Sequence, residues 1–365
     1  MTRDALRTAR RVVVKIGSRL LRDDLEGRVA MLAAECDELR RRGKEVVLVT
    51  SGAIALGVGA LRLAARPTEL AGLQAAASVG QVQLMHVYQQ AFSATQQTVG
   101  QVLLTHDDVR DRTRYLAARQ TFAELLRLGA VPVVNENDTV SADEIKFGDN
   151  DQLAALVTSL ASAELLVILT DVDGLYDGEP GKGARLVSEV RDIEAARAVS
   201  GDAVSGVGTG GMRSKVEAAA IAGRFGVPTV VASGRSDRPV SRILDGEALG
   251  TVFWPRVERL TSRKQWIAFA LRPKGRVLVD AGARLALERH NSLLPRGVRG
   301  VEGHFSAGEL VEVVDDRGRV FARGLCALET GELERVKGLR ADAVPGVLGY
   351  PSSGLVIHCD DLVIL

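Results

Sequence analysis

The chain has 365 residues, more than twice the ~150 typical of one domain, so two domains are expected. Apolar residues make up 46% and charged residues 25%, which excludes a wholly disordered, collagenous or coiled-coil chain. Lys and Arg number 47 against 46 Asp and Glu, a net charge of +1, so no overall field draws the chain toward nucleic acid or an anionic membrane.

The first residues, MTRDALRTARRVVVKIG, carry Asp4 and four arginines ahead of a short apolar run and lack the apolar core of a signal peptide. From there one grammar repeats: a β-branched apolar run, then Gly, Ser, Asn or Asp, then a helical pattern. The runs are RVVVKIGS (11–18), EVVLVTSGAIALG (45–57), AVPVVNEND (130–138), LLVILTDVDG (165–174) and VPTVVASG (227–234). Between them, Val29, Leu32, Ala33, Cys36 and Leu39 fall at helical spacing over 28–42, and Gly43 marks the stop. Residues 114–128 and 150–161 read the same way. Apolar runs without alternation suit strands covered on both faces. The expectation is an α/β domain with an open, mostly parallel sheet sandwiched by helices.

The longest apolar stretch, Leu153 to Thr170, is broken by Thr158, Ser159, Ser162 and Glu164, so no membrane span is expected. Cys36, Cys326 and Cys359 form no CxxC pair, which fits a reducing, cytoplasmic setting and neither a disulfide framework nor a zinc cluster. Beyond about residue 250 the grammar changes. GTVFWP closes the last α/β segment, and SRKQWIAFALRPKG predicts a helix leading into a turn at Pro273–Gly275. Then come the strand-like pieces RVLVD, GELVEVVDDRGRVFARGLCAL and GLVIH, interrupted by a helical stretch at 281–289. This predicts a small β-rich domain, a partly closed barrel. The divisions drawn are an α/β domain at 1–258, a linker at 259–274 and the β-rich domain at 275–365.

Ligands of an open parallel sheet bind beyond the carboxyl ends of its strands, so the polar residues ending these runs should converge on one rim. Lys15 stands between Val14 and Ile16, where a charge is costly unless it snorkels at an edge or meets an anion. GVGTGG (206–211) satisfies G-x-G-x-x-G without a convincing strand before it. It runs into an alanine-rich helix whose first turn holds Lys215, a place the helix dipole disfavours for a cation and a phosphate would favour. Asn135, Glu136, Asn137 and Asp138, then Asp149, Asn150 and Asp151, exceed what turn and capping chemistry needs; such a loop could hold an ammonium group or organise lysines. No P-loop, HEXXH, HRD or G-x-S-x-G occurs, and the five histidines pair with no evident nucleophile.

KIGS, VTSGAIALG, VVNENDTV, EIKFGDND, LTDVDGLY and GTGGMRSK, in this order, resemble the amino acid kinase family, and the tail from VLVDAGARLALERH onward resembles a PUA domain. The resemblance runs over essentially the whole chain. It implies the family's glutamate-phosphorylating branch: ATP, Mg²⁺ and L-glutamate giving L-glutamyl 5-phosphate and ADP, the first step of proline biosynthesis. It further implies that Lys15 and Lys215 contact the transferring phosphoryl group and that Asp151 orients the two lysines. Thr170, Asp171, Thr209, Gly210, Gly211, Met212, Arg213, Ser214 and Lys215 would bind ATP, and Ser51, Asp138 and Asn150 would hold glutamate. Arg213 departs from the small or polar residue common at its position. The same resemblance implies feedback inhibition by L-proline through the 138–150 loop, a homo-oligomer (dimer or tetramer) and functional coupling to glutamyl phosphate reductase; it assigns no metal ligand.

Rival acceptors within the family are acetylglutamate, aspartate, carbamate and nucleoside monophosphates. RNA binding through the PUA-like region is the rival from another class. That region holds 11 Lys/Arg and 13 Asp/Glu, 11 − 13 = −2, which argues against an RNA footprint, although Arg284, Arg289, Arg296 and Arg299 could form a patch. The chemistry agrees with the family reading: a glutamate side chain is already ionised at pH 7 and needs no general base. Asp151 then reads as a holder of lysines rather than a proton acceptor.

Overall fold

The apolar runs form the centre of one large sheet. The computed structural model describes residues 2–140, 149–178, 183–200, 211–255 and 273–365. The helix predicted from SRKQWIAFALRPKG, most of the predicted linker, and the GVGTGG loop up to Gly210 lie outside the described residues.

The chain divides into two compact units near residue 259. The strands of the larger are β1 (Arg11–Ile16), β2 (Glu45–Val49), β3 (Val99–Leu104), β4 (Val131–Glu136), β5 (Leu165–Thr170), β6 (Glu189–Val190), β7 (Thr229–Ser233) and β8 (Thr251–Phe253). Its helices are α1 (Ser18–Asp23), α2 (Leu25–Arg41), α3 (Ala53–Ala60), α4 (Leu70–Ala94), α5 (His106–Arg110), α6 (Arg112–Arg127), α7 (Asp149–Leu160), α8 (Ile193–Val199), α9 (Met212–Arg224) and α10 (Pro239–Leu244). The sheet order is β3-β4-β2-β1-β5-β7-β8-β6. Every pairing is parallel except β7 with β8. The five runs predicted as strands are thus its contiguous middle, β4-β2-β1-β5-β7, and their carboxyl ends share one rim.

Side chains alternate across the sheet. Val12, Val14 and Ile16 of β1 join Leu48, Val167 and Val230 in a core that also takes Leu32 and Leu39 of α2, Tyr88 and Phe92 of α4, and Ile243 of α10. Val13 and Lys15 therefore face the other way, toward α7, which packs on β1 and β5. Helix α9 packs on α7 in turn.

Helices α3 and α4 cross with their backbones touching. A Cβ on Gly57 would lie 1.7 Å from the Ala76 carbonyl oxygen, and one on Gly80 would lie 1.8 Å from that of Ala53. Only glycine fits at either place.

The smaller unit carries a separate sheet of β9 (Gly275–Val279), β10 (Val298–Gly303), β11 (Leu310–Val314), β12 (Val320–Leu325) and β13 (Leu362–Ile364), ordered β10-β9-β11-β12-β13. The β9–β11 pairing is parallel and the others antiparallel. Its own core gathers Val277, Val279, Val311, Val313, Leu333 and Ile357. The partial closure predicted from the sequence stops short of a β10–β13 pairing among the described residues. The helix predicted at 281–289 is present as Ala281–Glu288.

Candidate active site

Strand β1 pairs with β2 on one side and β5 on the other, so the strand order reverses at β1, and the carboxyl ends of β1 and β5 are where an open α/β sheet takes its ligand. Lys15 lies one residue before the end of β1, and Thr170 ends β5. Lys15 does not snorkel. Only 6% of it is exposed, and its Nζ sits 2.6 Å from Oδ1 of Asp151, which is wholly buried in the first turn of α7. The other carboxylate oxygen, Oδ2, accepts from Lys215 Nζ at 3.1 Å and from Ser214 Oγ at 2.6 Å, both in the first turn of α9. Lys215 is 4% exposed. One carboxylate therefore gathers two lysines from two elements far apart in the chain.

The electrostatics follow from that count. Burial by itself would raise the Asp151 pKa, but the charges of Lys15 and Lys215 outweigh it and hold the carboxyl at about 2. Burial pushes the Lys215 ammonium below its usual range; Asp151 pulls it back up, and Lys15 repels it. Within the cluster two ammonium groups face one carboxylate, all three buried from water. An anion entering there would meet two buried ammonium groups and the amino-terminal end of α9, with Gly211 in extended backbone as the N-cap.

A second, uncharged cluster lies at the ends of β2 and β4. Ser51 follows β2, and Gly52 (φ +100°) turns the chain into α3 with left-handed backbone that favours glycine. Asn150 Nδ2 donates to Ser51 Oγ at 3.0 Å and to Asn135 Oδ1 at 3.1 Å. Asn135, 2% exposed at the end of β4, donates through Nδ2 to Gln81 Oε1 at 2.8 Å. Behind Ser51, the fully buried Tyr88 donates its hydroxyl to Thr50 Oγ1 at 2.9 Å. Because Asn150 and Asp151 are consecutive on α7, the polar and the charged clusters adjoin.

Of the residues singled out in the sequence, Lys15, Asp151, Ser214 and Lys215 are bonded into one cluster, and Ser51 and Asn150 into the other. Thr170 donates to Asp171 Oδ1 at 3.1 Å, and Asp171 is ion-paired with Arg19 at 3.1 Å, so these two belong to a neighbouring group at the end of β5. Asp138 is half-buried beyond the end of β4, with the charge of Arg66 close by. Met212 is half-buried and Arg213 exposed on α9, while Thr209 and Gly210 lie outside the described residues.

The sequence profile of the amino acid kinase family matches residues 10–233, and that of the PUA domain matches residues 275–348. The chain belongs to the amino acid kinase family. Among relatives, a glutamate 5-kinase of Citrifermentans bemidjiense is 46% identical over 378 residues, covering 100% of both chains. One of Myxococcus xanthus is 48% identical over 377 residues, covering 100% of this chain and 98% of its own. A carbamate kinase from Giardia lamblia bound to AMP-PNP superposes with a TM-score of 0.52 at 15% identity, over 68% of this chain and 99% of that one. That likeness shows the amino acid kinase fold.

Within this amino acid kinase, sequence reasoning missed Gln81, Tyr88 and Arg19 altogether, and it gave Asn135 no separate role. Gln81 and Tyr88 lie on α4, a helix that was not predicted. A polar residue set among the small and apolar residues AAASVGQVQL was the available signal. Among the described residues, no helix is long and apolar enough to cross a membrane.

Proposed function

We propose that the chain transfers the γ-phosphoryl group of ATP to the side-chain carboxylate of L-glutamate, giving L-glutamyl 5-phosphate and ADP. The observation that carries the reading is the buried Lys15–Asp151–Lys215 cluster at the sheet's switch point, in a chain alike end to end with glutamate 5-kinases. Two anions must be brought into contact, and the developing charge is spread over the phosphoryl oxygens. Lys15 and Lys215 supply compact positive charges in a dry pocket, where they act with little screening. Asp151 fixes both lysines, and it stays ionised near neutral pH because its pKa is about 2. The nucleophile arrives ionised, so no residue has to take a proton.

Ser51 and Asn150 hold the glutamate, with Asp138 offering a carboxylate to its ammonium group. The nucleotide lies along the start of α9 and the end of β5, near Thr170 and Asp171. A magnesium ion, when bound, supplies further neutralisation at the phosphates. Asp151 is committed to two lysines and Asp171 to Arg19, a donor set suited to a metal carried on the phosphates rather than to a protein cage. Residues 1–258 form the kinase domain in this reading, with 259–274 as a linker and 275–365 as the PUA-like domain, and a cytoplasmic location fits.

Trapping with hydroxylamine tests the proposal directly, because it captures an acyl phosphate and spares a phosphate ester. Glutamate- and ATP-dependent hydroxamate is the expected result, and adding L-proline in the same assay reads out feedback. ADP formed with carbamate, aspartate or a nucleoside monophosphate in place of glutamate would overturn the assignment of the acceptor.

A further inference from the structure

The uncharged cluster is a relay of amides whose direction can be followed atom by atom. Gln81 Oε1 accepts from Asn135 Nδ2, Asn135 Oδ1 accepts from Asn150 Nδ2, and the same Nδ2 donates to Ser51 Oγ. A primary amide has one carbonyl and one amino group, so fixing either fixes the other. With the Gln81 carbonyl facing Asn135, Asn135 turns its amino group to Gln81 and its carbonyl to Asn150. Asn150 must then use its amino group there, and its carbonyl oxygen is left over. That oxygen, Asn150 Oδ1, is buried without a hydrogen-bond partner, and so is Gln81 Nε2 at the far end. A buried acceptor left open in this way is one that a ligand's donor would complete.

We propose that Gln81 is a positioning residue for the acceptor substrate: by accepting from Asn135 it holds the relay in the polarity in which Asn150 presents a carbonyl, not an amino group, to the substrate's α-ammonium. This inference rests on the glutamate reading above. Were the relay reversed, Asn150 would meet the ammonium with a donor, and the two would repel.

The fold gives Gln81 a fixed seat for this work. It follows Gly80, whose backbone touches the Ala53 carbonyl, and Ala53 opens α3 directly after the Ser51–Gly52 turn. The α3–α4 contact therefore locks Gln81 and Ser51, the two outer members of the relay, to each other.

The test compares the KM for L-glutamate with the inhibition constant of glutarate, which has the same two carboxylates and no amino group, in the wild type, Q81M and Q81E. Met keeps the length and removes the acceptor; Glu keeps an acceptor toward Asn135. For Q81M, the KM for glutamate should rise about tenfold while the glutarate constant and the KM for ATP stay within about twofold, one lost hydrogen bond to a charged group being of that size. For Q81E, the preference for glutamate over glutarate should remain within about threefold of the wild type, since relay polarity is kept. Thermal unfolding reports whether each variant is folded. The inference is overturned if Q81M keeps the wild-type preference, if all three constants rise together, or if Q81E loses the preference as fully as Q81M. Should Q81M not fold, Q81E decides alone: a retained preference supports the relay, and a tenfold loss removes it. A wild type without glutamate-dependent turnover would sink the glutamate reading instead, before any variant is made.

Discussion

The two halves of the site solve opposite problems with opposite materials. At the ends of β1, α7 and α9, three formal charges are buried together, and Asp151 is what makes that tolerable. At the ends of β2 and β4, where Ser51, Asn135, Asn150 and Gln81 meet, the hydrogen-bonded groups are neutral and each contact has a donor and an acceptor end. The charged half is strong, indifferent to the identity of the anion, and sensitive to the loss of any one member. The neutral half is weaker per contact and directional. Consecutive residues of α7, Asn150 and Asp151, join them, so a shift of that helix would disturb both at once.

That contrast sets the order of the expected effects. Asp151→Ala should be the most damaging, because it leaves Lys15 and Lys215 buried without a counter-charge. A loss of roughly 3–5 kcal/mol in urea unfolding is expected. The same carboxyl gives the charged half a pH signature. Its folded-state pKa lies near 2 against an ordinary 3.8, so its contribution is fully present above pH 3.8 and is lost as the pH falls through 2. It amounts to roughly 2 kcal/mol. The difference in stability between wild type and Asp151→Asn should shrink over that window; a difference unchanged from pH 4 to pH 2 would contradict it.

Lys215→Ala should leave the fold standing, since Lys15 still pairs with Asp151, and lower kcat by about 10²-fold, the size of one lost transition-state donor. Near-normal turnover would remove Lys215 from the chemistry. Asp138→Ala, on the neutral side, should act the least. The KM for glutamate should rise about tenfold with kcat little changed, the pattern of lost uniform binding. An equal rise in the KM for ATP would place Asp138 elsewhere.

What could be read from the sequence tracks how locally each feature is determined. The central strands β1, β2, β4, β5 and β7 were legible because burial on both faces leaves unbroken apolar runs. The edges were not. Strand β3 has the half-exposed pattern of VGQVLL, β6 is two residues long, and β8 was seen only as the end of a segment. Helix α4 escaped because Gly72 and Gly80 weigh against helix by propensity; the touching backbones of α3 and α4 explain the second. Lys15 was legible as a charge in the wrong place, which demanded a partner. That the partner is Asp151, and that Asp151 also takes Lys215, was given by the family resemblance and not by a local pattern, because it depends on two helix packings. For Gln81 the sequence offered only a polar residue among small and apolar ones, and not its tie to Asn135 across a separation of 54 residues.

The placement of β1 bears on how the protein is made. The first strand to leave the ribosome is the middle of the sheet, and it needs both β2 and the much later β5 as neighbours. Its lysine stays without a counter-ion until α7 is synthesised, and the second lysine arrives only with α9, close to the end of the unit. Long-range closure of this kind slows folding and exposes intermediates. A fragment truncated before α9 would carry most of the sheet and none of the completed charge cluster, so nascent chains should remain catalytically silent until the unit is nearly whole.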